Sequence, residues 1–206
     1  MKLSKRATKE LIEAIAQIVM TNANELTELD RVIGDADHGV NLERGFHAVL
    51  KNIDTIAELA PGPAFNEVGR LLVMAVGGAS GPLYGTFFMA LGKRLGDDSA
   101  ITQQQLVDAC DEAVKAVKAR GKSDAGQKTM LDVLVPVLLE LHTNAPGVLR
   151  RVRDRAQASA QATVPMVAQR GRASFLGERS AGHMDPGARS TQLMIAAACG
   201  YLEKMS

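Results

Sequence analysis

The sequence predicts an all-α fold: a single domain over residues 1–206, built from about eight helices. Three observations predict it. Apolar residues recur with a 3.6-residue period along almost the whole chain and never alternate over the length of a strand. Alanine, leucine and methionine supply the apolar mass, and aromatic residues make up only 3%, a composition that favours helix. No repeat, low-complexity tract or linker divides the 206 residues, a length that suits one domain with a real core.

The first helix is marked by Leu11, Ile12, Ile15, Ile18 and Val19, and the second by Phe46, Val49, Leu50, Ile53 and Ile56. Phe65, Val68, Leu71, Leu72 and Ala75 mark a third; Leu83, Phe87, Ala90 and Leu91 mark a fourth. The fifth opens on Thr102 and Gln105 in capping-box spacing and closes at Lys118, Arg120 and a C-capping Gly121. The sixth, N-capped by Thr129, carries Leu131, Leu134, Val135, Leu138 and Leu139, with a bend expected at Pro136. A seventh runs from about Val148 to Arg170, bent at Pro165. The eighth follows an Asp185 N-cap and a Pro186 at the first helical position, and carries Leu193, Met194, Ala197, Ala198 and Tyr201.

Several function classes are excluded by composition. The net charge is +1, from 24 basic and 23 acidic residues, and there is no tryptophan. Neither nucleic acid nor an anionic membrane finds a matching surface. Leu71 to Gly92 is uncharged and long enough to span a bilayer, yet "GGASGP" interrupts it, so two buried helices meeting at a turn are predicted. Cys110 and Cys199 read as buried free thiols, and the N-terminus lacks an apolar signal core. The expected location is the cytoplasm.

Helices joined by short loops run antiparallel to their neighbours, so alternate loops gather at one end. The loops after the second, fourth and sixth helices are "APGP", "GDDSA" and "TNAPG", ordinary turn chemistry. Those after the first, third, fifth and seventh are "DRVIGDADHG", "GGASGP", "GKSDAGQKT" and "GRASFLGERSAGHMDPG". Glycine, charge and histidine therefore fall at one end, a partition that folding does not require.

Asp30, Asp35 and Asp37 repel one another unless protonated or neutralised by a cation. The loop is not an EF-hand: Val40 stands where glycine is needed and Phe46 where glutamate is. Hard oxygen donors without a full cage suit Mg²⁺, which keeps room for water and phosphate. Gly77 to Pro82 offers unobstructed amides just before a helix, a phosphate cradle in outline. "GKSDAGQKT" fails P-loop spacing, because Gln127 intervenes before Lys128 and a helix precedes it. Met130 is placed to line an apolar slot for a base, and Arg172 to neutralise a transferring phosphoryl group. His38 and His183 are candidates to orient phosphates; His47 and His142 read as surface residues.

"LDRVIGDADHGVNLERGF", "GGASGPLYGTFFM", "GKSDAGQKTMLDVLVP" and "GRASFLGERSAGHMDPGA" closely resemble, in order and over essentially the whole chain, the nucleotide-binding L subunit of dihydroxyacetone kinases. The resemblance implies an antiparallel eight-helix barrel with Mg-ADP or Mg-ATP held at one end. It implies magnesium at Asp30, Asp35 and Asp37. It implies nucleotide contacts at His38, Gly39, Val40, Asn41, Ala79, Ser80, Gly121, Met130, Arg172, Asp185, Pro186 and Gly187, with Arg172 and His38 as the catalytic residues. Ala36 departs from a common family form, "GDGDHG", but leaves the ligand spacing unchanged.

The resemblance also implies partners. In the family the ketose is bound covalently to a histidine of a separate K subunit or domain, so this chain reads as one half of a kinase. Free-standing L subunits resemble the phosphotransferase-system type, in which bound ADP is rephosphorylated by a phosphohistidine-bearing M subunit. A split ATP-dependent kinase, including one acting on four-carbon ketoses, is the main alternative. A nucleotide-state-sensing partner of a transcription regulator and a stand-alone phosphatase are others, and a homodimer stays open as an assembly state.

Overall fold

The computed structural model describes residues 3–98, 101–143 and 145–205. Ser99 and Ala100 of "GDDSA" and Asn144 of "TNAPG" lie outside them, as do the two ends of the 1–206 span. Among the described residues there are ten α-helices, one 3₁₀ helix and no strand. The α-helices are α1 (Lys5–Thr21), α2 (Ala23–Ile33), α3 (His38–Lys51), α4 (Ile53–Ala57), α5 (Pro61–Ala75), α6 (Ser80–Leu95), α7 (Gln103–Gly121), α8 (Leu131–His142), α9 (Val148–Ala162) and α10 (Pro186–Met205). The 3₁₀ helix spans Arg172–Ser180. None of the described helices is long and apolar enough to cross a membrane.

Helices α1, α3, α5, α6, α7, α8, α9 and α10 each pack on the next, and α10 closes the ring against α1. These eight carry the helices the periodicity predicts, so the all-α reading stands; the expected second helix is broken at Asn52 into α3 and α4, and α2 is an addition. The apolar stripes turn inward, burying Ile12, Val19, Leu42, Phe46, Leu72 and Leu131 completely or nearly so. The apolar interior keeps a cavity of about 180 Å³ between Phe65, Phe88 and Met194.

The capping chemistry sets most boundaries. Thr102 and Gln105 form the reciprocal capping box that opens α7. Asp185 Oδ2 accepts the Ala188 N–H at 2.7 Å, with Pro186 as the first residue of α10. Other boundaries differ from expectation. The left-handed cap that ends α7 is Lys122, φ +47, one residue beyond Gly121. The N-cap of α8 is Met130, with the Thr129 hydroxyl accepting from the Leu131 N–H at 3.2 Å. "APGP" is no loop: Pro61 opens α5, because a proline lacking an N–H is best placed in a first turn.

Helix α9 stops at Ala162 rather than bending at Pro165 and continuing to Arg170. Thr163 and Pro165 turn the chain out, and the residues up to Asp185 form an irregular segment around the 3₁₀ helix. That segment is packed against the end of α2 through Ile33, Ala168 and Ala173, which closes the site end of the ring.

Candidate functional site

A cavity of about 440 Å³ opens at one end of the ring, within the size range of small-molecule sites. Its wall is drawn from all four connections the sequence assigns to that end: the α2–α3 turn, the α5–α6 turn, the residues before α8, and the segment between α9 and α10. A second cavity of about 330 Å³ adjoins it, sharing Ala79, Leu83, Met130 and Arg170 and adding Gly121 and Val117. One compartment is polar and acidic at its floor. The other is flanked by Leu83, Val117 and Met130, as an aromatic base requires.

At the floor, one carboxylate oxygen from each of Asp30, Asp35 and Asp37 lies within 4.8 Å of the other two. Asp30 sits in the last turn of α2 and is buried. Its Oδ2 accepts the N–H groups of Asp37 at 2.8 Å and His38 at 3.1 Å, fixing the turn into α3. A Cβ on Gly34 would stand 2.0 Å from Asp30 Oδ1, so only glycine lets the chain pass this carboxylate. Ala36 takes a left-handed φ of +61 in the same turn, a conformation that costs a side-chain-bearing residue about 1 kcal/mol and glycine almost nothing.

The charge crowding leaves a trace. Burial, then the neighbouring Asp35 charge, raises the pKa of Asp37 from its ordinary value, and the Asn41 hydrogen bond and Arg172 only partly offset this. Arg172 Nε meets Asp35 Oδ2 at 2.8 Å, although the Arg172 side chain is 70% exposed. The trio thus offers hard oxygen donors, close enough to share an ion and mutually repelling without one. That fits Mg²⁺.

Across the cavity, Ser80 opens α6 after Gly78, whose φ of +64 lets the α5–α6 turn close. His38 Nδ1 lies 3.0 Å from Ser80 Oγ, and its Nε2 lies 2.8 Å from Ser190 Oγ. Ser190 in turn meets the Tyr84 hydroxyl at 2.7 Å, which meets Thr191 Oγ1 at 2.9 Å. The histidine is buried in the cavity wall, and burial pushes its pKa down to about 4, so it stands neutral at neutral pH. A neutral imidazole held at both nitrogens orients Ser80 without adding charge. Burial also raises Asp185, on the cavity wall, to about 7.

Lys128 is a residue the sequence reading passed over as a failed P-loop lysine. It is 1% exposed. Its Nζ donates to the carbonyl oxygens of His183 at 2.6 Å, Ser180 at 2.7 Å and Met166 at 3.0 Å, with Val164 O at 3.5 Å. The signal that could have found it is a lysine among the turn residues of a glycine-rich connection at the site end. Beside it, Asp132 accepts the N–H groups of Gly126 and Thr129, folding the α7–α8 connection onto the start of α8.

Of the residues singled out from the sequence, Asp30, Asp35, Asp37, His38, Ala79, Ser80, Met130, Arg172, Asp185, Pro186 and Gly187 line the main cavity, and Gly121 the adjoining one. Asn41 stands behind the wall, bonded to Asp37 and to Arg44. Gly39 turns away: a Cβ there would lie 1.9 Å from Ala23 O, so its role is the α2–α3 contact. Val40 is exposed and lines neither cavity. His183 contributes its carbonyl to Lys128 and does not line either cavity. His47 and His142 are exposed, as expected.

Residues 32–200 match the model of the DAK2 domain. The chain is 40% identical, over 201 residues, to the ADP-binding subunit DhaL of the PEP-dependent dihydroxyacetone kinase of Escherichia coli (strain K12), covering 95% of this chain and 96% of that one. It is 33% identical over 200 residues to a D-erythrulose kinase of Mycolicibacterium smegmatis, covering 91% of this chain but 34% of that protein. The crystal structure of the dihydroxyacetone kinase from C. freundii in complex with AMP-PNP and Mg²⁺ superimposes with a TM-score of 0.73 at 26% identity. It covers 97% of this chain and 34% of that one.

Proposed function

Because the chain belongs to the DAK2 domain family, we propose that it is the Mg²⁺- and ADP-binding subunit of a dihydroxyacetone (ketose) kinase, acting with a separate ketose-binding K subunit and a phosphohistidine-bearing M subunit. One observation carries the reading. The three clustered aspartates, the Ser80 helix start, Arg172 and the Met130 slot line one continuous pair of cavities. That is the donor set for a cation, a diphosphate and a base, in that order along the cleft. The 40% identity to a DhaL subunit of E. coli, over 96% of that subunit, supports the ADP-binding subunit reading.

When bound, Mg-ADP would supply the terminal phosphate that accepts a phosphoryl group from the phosphohistidine donor and, as Mg-ATP, yields it to the ketose hydroxyl, together with the cation's neutralising charge. The chain's own residues do the positioning. Asp30, Asp35 and Asp37 would hold the cation; the amides at the start of α6 and the Ser80 hydroxyl would bind the phosphates. His38 fixes that hydroxyl from behind. Arg172, drawn to the floor by Asp35, adds a movable positive charge where phosphoryl charge develops. Leu83 and Met130 would flank the base.

A second reading, exchange of ATP at each turnover, is favoured by the open mouth: Phe175 at its rim is 88% exposed. The AMP-PNP-bound kinase of C. freundii is the comparable case. The deciding experiment purifies the protein without added nucleotide, denatures it and assays the released ADP. One ADP per chain surviving gel filtration supports the relay, since a permanent carrier has no need to leave. An empty site that turns over added ATP with a K subunit alone would make exchange the mode. Failure to bind either nucleotide with Mg²⁺ would overturn the proposal.

A further inference from the structure

We propose that Lys128 is a positioning residue for the nucleotide site: its ammonium occupies a cage of main-chain carbonyl oxygens and so ties the segment carrying Arg172 and Asp185 to the connection carrying Met130. The proposal rests on the nucleotide reading above. The cage oxygens come from both flanks of the segment: Val164 and Met166 before the 3₁₀ helix, Ser180 at its last residue and His183 beyond it. Arg172 lies in the stretch that these four residues bracket.

The chemistry of the cage is that of a monovalent cation site. Backbone carbonyls supply all its oxygens, and no carboxylate contacts the ammonium among the described residues. Asp185 acts on the ammonium through space without reaching ion-pair distance, and a buried cation so placed is costly unless its donors are fully used; here three N–H groups meet three oxygens at 3.0 Å or less. Lys128 reaches this position with a left-handed φ of +60, so the backbone accepts strain to deliver it. The other ties across to the connection are longer, Gln169 N–H to Gln127 O at 3.2 Å and Arg170 Nε to Gln127 Oε1 at 3.3 Å, while Gly182 N–H to Val164 O and Ala168 N–H to Ser180 Oγ, both at 2.8 Å, hold the segment to itself. Without the ammonium, four carbonyl oxygens would converge with nothing between them. The segment would spread, and Arg172 would lose its setting over the aspartates.

The test pairs Lys128→Ala with ammonium rescue. Mg-ADP affinity of the wild type is measured first; its absence would sink the nucleotide reading and is a separate failure. Given that affinity, Lys128→Ala should weaken Mg-ADP binding by about 100-fold, the scale of a misplacement of about 1 Å. Ammonium or ethylammonium chloride should restore most of the loss, and tetramethylammonium at equal ionic strength, having no N–H, should not. Arg172→Ala should weaken binding in the wild type but add almost nothing in Lys128→Ala, because an unset arginine has little left to lose. Equal effects of Arg172→Ala in both backgrounds, or rescue by tetramethylammonium, would overturn the proposal. If Lys128→Ala does not fold, ammonium should restore its helical spectrum on refolding, and failure of that rescue would equally reject the cage.

Discussion

At the scale of single residues, the site is built from groups whose burial sets their protonation. His38 and Asp185 shift in opposite directions, to about 4 and about 7, both chiefly through burial. Each is therefore neutral in the folded protein near pH 5.5, and their linkage effects oppose one another. Asp185 binds its proton more tightly folded than unfolded, so its contribution to stability grows as pH falls from 7 towards 4. His38 binds its proton less tightly folded, so its contribution shrinks as pH falls from 6.5 towards 4. Between pH 6.5 and 4.5 the two slopes, each about 1.4 kcal/mol per pH unit, nearly cancel. We expect Asp185→Asn, which can still cap α10, to lose roughly 2 kcal/mol relative to wild type over that interval, and His38→Gln to gain a similar amount. Urea denaturation at pH 6.5 and 4.5, with chelator present, checks this. Parallel profiles in the three proteins would mean that neither group titrates as its burial demands. Much at this scale was legible in the sequence, because repelling aspartates and clustered glycines announce themselves by type. Lys128 did not, since its meaning lies in four carbonyl oxygens brought from 36 to 55 residues away.

At the scale of elements, one helix missed and one helix end misplaced both serve the site: α2 and the end of α9. Helix α2 has an inward stripe of Ala23, Leu26, Asp30 and Ile33, and the aspartate at one of its core positions hides the apolar period. The end of α9 was hidden for a related reason: Thr163 Oγ1 accepts the Asp185 N–H at 3.1 Å, a partner no local pattern reveals. The pairing of α5 with α6 was better signalled, by glycines spaced seven apart on each. A Cβ on Gly62 or Gly69 would lie 2.0 Å from Gly96 O or 2.6 Å from Gly85 O. A Cβ on Gly85 or Gly92 would lie 2.8 Å from Gly69 O or 2.3 Å from Gly62 O. The two backbones therefore touch along an antiparallel pair whose turn, Val76 to Ala79, presents the phosphate cradle. Gly69→Ala should cost about 1–3 kcal/mol, as overpacking does, and should also weaken Mg-ADP binding by displacing that turn. Gly200, in α10, has open space around its missing Cβ, so Gly200→Ala should gain up to about 1 kcal/mol from helix propensity and leave binding unchanged. Thermal unfolding and nucleotide titration of both variants separate the outcomes. A Gly69→Ala protein that is as stable as Gly200→Ala would show that the two helices can part without loss.

At the scale of the whole molecule, the ring divides structural work from chemical work between its two ends. The eight ring helices hold each other whatever their connections contain, while the connections at one end supply the cavity. The α6–α7 connection lies at the far end, since α6 runs from Ser80 in the cavity wall through 16 residues to Leu95, about 24 Å along its axis. There Gly96 has φ +66 with nothing near its missing Cβ. Lengthening a flexible connection costs little, about 0.6 kcal/mol for each doubling. Four glycine–serine residues inserted after Gly96 should therefore leave both unfolding temperature and nucleotide affinity close to wild type. The same insert after Gly78 should cost as little in stability by the loop-entropy argument. It should nevertheless abolish nucleotide binding, because Ser80, held by His38 at 3.0 Å, and the amides before it would no longer face the aspartates. Circular dichroism melts and Mg-ADP titrations of the two insertion variants measure the two quantities independently. Equal loss of binding at both positions, with stability intact, would show that the far end also reaches the site and that the division between the ends is false.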